Sequence, residues 1–175
     1  ATLDHLSEGI TGTTHEWGHA CFEQNLSKNA EQSALPAGRA LSLGAHESQS
    51  LFWERAIGLS KAFCSFLAPR INEAFPDHPP LDAETVFFSL NEIKTPSYIR
   101  VEADELHYPL HIILRFRIER ALVDGSLKVE DLPAAWNEAS QRLLGVTPPS
   151  DSKGVGQDMH WGGFAIGYFP TYLSG

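Results

Sequence analysis

Two histidines four residues apart, with a glutamate directly after the first, mark the segment HEWGH at residues 15–19. On a helix, positions i and i+4 lie on one face, one turn apart, so His15 and His19 can aim two imidazole nitrogens at a single cation. Glu16 is rotated off that line and stands beside a metal rather than bound to it. A zinc hydrolase needs this arrangement: two fixed ligands and a carboxylate able to take a proton from an activated water. Gly18 is a poor helix former. A glycine there lets another backbone or a substrate pass close, or lets helices pack tightly.

A catalytic zinc needs a third protein ligand and an open position. The layout with a third histidine six residues beyond the second is excluded, because Asn25 occupies that place and Phe22 the place of its glycine. In the other, gluzincin-like layout, a glutamate arrives from a following helix. The stretch GAHESQS offers Glu47, with His46 as the rival ligand. Further along, Arg100 stands on an alternating segment, where it can pair with Asp104 and Glu105 or hold a carboxylate with its planar fork. Asp158 lies near His160, and a histidine oriented by a carboxylate can donate to a developing oxyanion. Tyr168 and Tyr172 are four apart; their phenols could serve the same end or simply pack.

These side chains need helices to place them. Apolar periodicity predicts a helix over residues 2–26 and a second long one over 46–75, bent or ended near Pro69. Asp82 predicts an N-cap for a short helix through Asn91. SYIRVEAD, residues 97–104, alternates and is the strand candidate. Helices follow over 105–123, with Pro109 near the first turn, and over 129–145, with Gly145 as C-cap. A long Gly- and Pro-rich loop occupies 146–163, and loops of that length are often functional. The predicted class is mainly α with a small β element, in a single domain spanning residues 1–175.

Composition narrows the function. With 175 residues, 42% of them apolar, the chain can bury a core. A net charge of -9 and a pI near 5.3 exclude a nucleic-acid-binding surface and disfavour a membrane-surface helix. No run of eighteen apolar residues offers a membrane span. Two cysteines, Cys21 and Cys64, are too few for a disulfide framework and fit a reducing, cytoplasmic compartment. The first ten residues have neither the basic nor the apolar region of a signal peptide and read as helix interior.

Four segments, in order, resemble the carboxypeptidase Taq family of zinc metallopeptidases: HEWGH at 15–19, HESQS at 46–50, IRVEADE at 99–105 and GVGQDMHW at 154–161, followed by GYFPTY. The resemblance implies an almost wholly helical fold with a deep central groove. It implies removal of single residues from the C-terminus of peptides, with broad side-chain tolerance, and a homodimer for the full-length protein. It implies His15, His19 and Glu47 as ligands of one Zn2+, with Co2+ or another divalent metal possible. Glu16 would be the general base and Arg100 the group recognising the substrate carboxylate. His160 and one of Tyr168 or Tyr172 would stabilise the tetrahedral intermediate. Members of that family are over twice this length, with HExxH near the middle and DxRxT and HPF motifs upstream, so the chain reads as a catalytic-core fragment.

The expected reaction is attack of metal-activated water on the last peptide bond, with Glu16 moving the proton. Two other readings compete. One is a helical binding domain whose zinc is structural, closed by a fourth protein ligand such as His46. The other is an endopeptidase with the same zinc chemistry in an open groove.

Overall fold

A computed structural model describes residues 6–26 and 29–174. Residues 2–5 of the predicted first helix, including Leu3 and His5, lie outside them. Among the described residues every regular element is helical and no strand forms. The chain divides into two compact units, one running to Glu92 and the other spanning Ile93–Ser174.

The first unit is built on helix α1, Leu6–Asn25, which carries the HEWGH segment. A short helix α2, Ala30–Ser33, is capped by Asn29, whose side chain accepts from the Glu31 amide at 2.8 Å. Helix α3, Leu43–Leu51, begins at Ser42, whose hydroxyl accepts from the Ala45 amide at 3.0 Å. The predicted second long helix is in fact broken. After α3 the chain runs through a π-helical turn, Phe52–Ile57, and helix α4, Lys61–Ala74, starts afresh at Ser60. The Ser60 hydroxyl accepts from the Phe63 amide at 3.1 Å. The break therefore falls at a serine cap; Pro69 sits inside α4 and does not end it. Helix α5, Ala83–Leu90, is capped as predicted by Asp82, which accepts from the Thr85 amide at 2.7 Å.

Helices α4 and α5 bury Cys64, Ala68 and Val86 against each other, with Leu67, Ile71, Leu81 and Phe87 around them. Asn72 fastens the proline-rich connection between them, donating to the Leu81 carbonyl and accepting from its amide. Helix α1 packs on α3 instead. Gly18 is its one buried residue among those described. A Cβ at Gly18 would lie 2.5 Å from the Gln49 carbonyl oxygen and 2.6 Å from the Ser50 Cα. The backbones of α1 and α3 touch there, and only glycine leaves room.

The second unit centres on helix α6, Tyr108–Val123, paired with helix α7, Leu132–Leu144. Their shared core is Leu114, Ile118, Trp136, Ala139 and Leu144, with Trp161 packed against it. Gly145 ends α7 in the left-handed region at φ 71°, as a C-cap glycine should. The expected strand at 97–104 is a correction. Those residues form a loop around a 3-10 turn, Arg100–Glu102. The Gln157 side chain takes the place of a neighbouring strand, accepting from the Arg100 amide at 2.9 Å and donating to the Tyr98 carbonyl at 2.9 Å. Alternation in the sequence did not translate into sheet pairing, and burial along the segment does not alternate either. The loop from 146 to 163 contains a single 3-10 turn, Asp151–Lys153, and a last short helix α8, Thr171–Ser174, closes the unit.

Candidate metal centre and a buried arginine network

Helix α1 presents His15 and His19 on one face, and α3, held close by the Gly18 contact, brings Glu47 to them. Glu47 is 5% exposed. Its Oε1 lies 3.6 Å from His15 Nε2 and its Oε2 3.5 Å from His19 Nε2. One ligand atom from each of the three residues falls within 4.8 Å of the other two. Those separations are too long for hydrogen bonds. Separations of that size would leave room for a cation between the donors. Glu47 Oε1 is buried with no hydrogen-bond partner, a costly arrangement for a carboxylate unless a cation satisfies it. The donor set, two imidazoles and a carboxylate, is one that zinc accepts. The trio therefore fits a divalent metal of that type.

The hydrogen bond to Glu54 raises the His15 pKa against the opposing effect of burial. Burial lowers that of His19, and burial raises that of Glu47. Glu16 is exposed and close enough for its charge to act on all three. His46, the rival ligand, stands outside the trio: its Nε2 bonds Glu23 at 2.9 Å while its ring stacks on His19 with centroids 4.5 Å apart. A closed four-ligand site does not form among the described residues.

The remaining candidates gather within the second unit around Asp158. Oδ1 of Asp158 accepts from Arg100 Nε at 3.1 Å and Nη2 at 3.0 Å, while Oδ2 accepts from Arg115 Nε at 2.5 Å. Arg100 Nη1 donates to the Tyr108 hydroxyl at 3.0 Å. Arg100 thus pairs with Asp158, not with Asp104 or Glu105. Asp104 instead closes the turn leading into α6, accepting from the Leu106 and His107 amides, and pairs with His107 at 2.7 Å. His160 Nε2 lies 3.1 Å from the Tyr172 hydroxyl, and its ring centroid is 5.3 Å from that of Tyr168. Burial opposes the Asp158 charge, but Arg115 and Arg100 hold its pKa below the ordinary value. Burial lowers that of His160.

Arg115 and Glu119 were missed in the sequence. Arg115 is fully buried, its pKa brought down to about 10 by burial. Glu119 accepts from Trp161 Nε1 at 2.8 Å and from the Gly167 amide at 2.6 Å, tying down the loop that carries His160. His111, Arg115 and Glu119 recur every four residues on α6, and that spacing of polar groups in an apolar helix is the signal that could have found them. Glu54 was also missed. It follows Glu47 by seven residues, so both occupy one side of a continuing helix.

The whole chain, residues 1–175, matches the family described as Carboxypeptidase Taq (M32) metallopeptidase. It is 48% identical to thermostable carboxypeptidase 1 of Thermus thermophilus over 98% of this chain and 33% of that protein. It is 47% identical to carboxypeptidase 1 of Bacillus subtilis over 95% of this chain and 33% of that one. Among solved structures it resembles an M32 carboxypeptidase from Deinococcus radiodurans, with a TM-score of 0.90 at 37% identity, covering 99% of this chain and 35% of that chain. The chain spans about a third of the length of the curated relatives it matches.

Proposed function

The chain belongs to the carboxypeptidase Taq (M32) metallopeptidase family, and from that premise we propose that it forms the catalytic core of a zinc-dependent metallocarboxypeptidase acting on peptides. The observation that carries this reading is the Glu47 carboxylate set 3.5–3.6 Å from two imidazole nitrogens, too far to bond them and well spaced to share an ion. His15, His19 and Glu47 would hold Zn2+, with Co2+ as an alternative. When bound, such a cation supplies a Lewis acid and makes water nucleophilic near neutral pH.

The chain's own residues do the rest. Glu16, exposed beside the trio, takes the proton of the attacking water at its carboxylate and passes it to the nitrogen of the leaving amine. His160 and Tyr172, hydrogen-bonded to each other at 3.1 Å, together with Tyr168, form a cluster of donors suited to a developing oxyanion. The Arg100 guanidinium, held in one orientation by Asp158 and Tyr108, is the group suited to a free C-terminal carboxylate. No helix among the described residues is long and apolar enough to cross a membrane. Unpaired Cys21 and Cys64 suit a cytoplasmic site of action.

Three ligands, with no fourth among the described residues, favour the catalytic reading over a structural zinc. Elemental analysis should find one zinc per chain in wild type and a sharp loss in Glu47→Ala. Glu16→Gln should keep the metal and lower turnover by about 10²–10⁴-fold. Glu16→Gln hydrolysing peptides at the wild-type rate would overturn the assignment. Comparing peptides with free and amidated C-termini separates a carboxypeptidase, which requires the free end, from an endopeptidase, which ignores it.

A further inference from the structure

His15 uses both of its ring nitrogens. Nε2 faces Glu47, and Nδ1 lies 2.8 Å from Oε2 of Glu54. An ionised carboxylate has no proton to give, so Nδ1 is the donor in that pair. In a neutral imidazole the lone pair then belongs to Nε2, the nitrogen that faces Glu47.

Glu54 reaches His15 because the helix carrying Glu47 does not stop at Leu51. It continues into the π-helical turn Phe52–Ile57, closed by the Gly58 amide donating to the Trp53 carbonyl at 2.8 Å. Widened turns of this kind inside helices are frequent at functional sites. One continuous rod therefore sets both Glu47 and the carboxylate behind His15. Glu23 is engaged instead with His46 at 2.9 Å.

We infer that Glu54 is a positioning residue of the metal centre: its hydrogen bond fixes the tautomer and orientation of His15, so that Nε2 is presented as a ligand and divalent-metal affinity depends on a carboxylate that does not itself touch the ion. The inference rests on His15, His19 and Glu47 being the metal ligands. A histidine ligand whose second nitrogen is held by a carboxylate is better oriented and more basic, and losing such a partner weakens metal binding by about 10–100-fold.

Two measurements test it. On the metal-free wild-type chain at mildly alkaline pH, two-bond proton–nitrogen correlation spectra of the histidine side chains read the tautomer directly. His15 should carry its proton on Nδ1; a proton on Nε2 overturns the inference without any variant being made. Zinc competition titrations then compare wild type, Glu54→Gln, Glu54→Ala and Glu47→Ala, with circular dichroism confirming that each is folded. Glu54→Ala should bind zinc about 10–100-fold more weakly than wild type. Glu54→Gln, whose amide oxygen still accepts, should fall between them. If Glu47→Ala loses zinc and Glu54→Ala binds it as wild type does, Glu54 has no positioning role and the ligand trio stands. If wild type binds no zinc, or Glu47→Ala binds it equally well, the trio itself falls and the role of Glu54 falls with it.

Discussion

Adding one methyl group at Gly18 should both destabilise the protein and loosen its metal centre. The Cβ of Gly18→Ala would stand 2.5 Å from the Gln49 carbonyl oxygen and 2.6 Å from the Ser50 Cα. Both are backbone atoms, so no rotamer change relieves the clash, and ordinary separations of about 3.5 Å return only if α1 and α3 part by roughly 1 Å. Overpacking of this kind costs about 1–3 kcal/mol. Alanine's better helix propensity offsets up to about 1 kcal/mol of that. With the full offset the net loss is up to about 2 kcal/mol, a fall in Tm of up to about 8 °C for a chain of this size. Gly12, on the same helix, has nothing within 4 Å of its missing Cβ. Gly12→Ala should therefore gain up to about 1 kcal/mol. The two variants change the same atoms in the same helix and should move stability in opposite directions. Urea denaturation midpoints of the metal-free chains measure this, and zinc titration should find affinity in Gly18→Ala reduced by about tenfold or more, since ligand distances tolerate only a few tenths of an ångström. A Gly18→Ala chain as stable as Gly12→Ala, with unchanged zinc affinity, would refute the idea that the α1–α3 contact builds the site.

Asp158→Ala leaves Arg100 and the fully buried Arg115 without their shared carboxylate. Breaking a buried pair this way should cost about 3–5 kcal/mol, measured by chemical denaturation. His111 is buried, and burial, then Arg115, push its pKa from 6.5 down to about 4. It stays neutral when folded, while the unfolded chain binds a proton below pH 6.5. Its contribution is therefore complete above pH 6.5 and lost as pH falls toward 4, about 3 kcal/mol in all. Denaturation midpoints across that window should slope accordingly in wild type and flatten in His111→Gln. Asp82→Ala removes the cap of α5 and should cost about 1 kcal/mol by the same assay.

The sequence carried the local decisions, because each depends on residues a turn or less apart. Asp82 before an apolar run, Pro109 at the second position of α6 and Gly145 after α7 all stand where helix ends require them. The HEWGH spacing placed two imidazoles on one face for the same reason. Two local signals misled. Alternation at 97–104 suggested a strand, but hydrogen bonds from Gln157, nearly sixty residues away, hold that segment as a loop. Continuous apolar periodicity over 46–75 concealed a break, because periodicity records which side is buried and not whether the helix is continuous. Ser60 carried the cap signal and lay inside the predicted helix.

What the sequence alone determined is the chemical inventory: a histidine pair with a glutamate beside it, a second glutamate on a later helix, and a set of arginine, histidine and tyrosine residues downstream. Tertiary structure decided their partnerships. The chain's packing set the Glu47 carboxylate 3.5–3.6 Å from both HEWGH histidines and left the His46 Nε2 to Glu23. It gave His15 to Glu54 and shared Asp158 between Arg100 and Arg115, residues 58 and 43 positions away. Residue type and short spacing set what each group can do; only the folded backbone, by bringing distant helices and loops within bonding distance, selects the partner with which it does so.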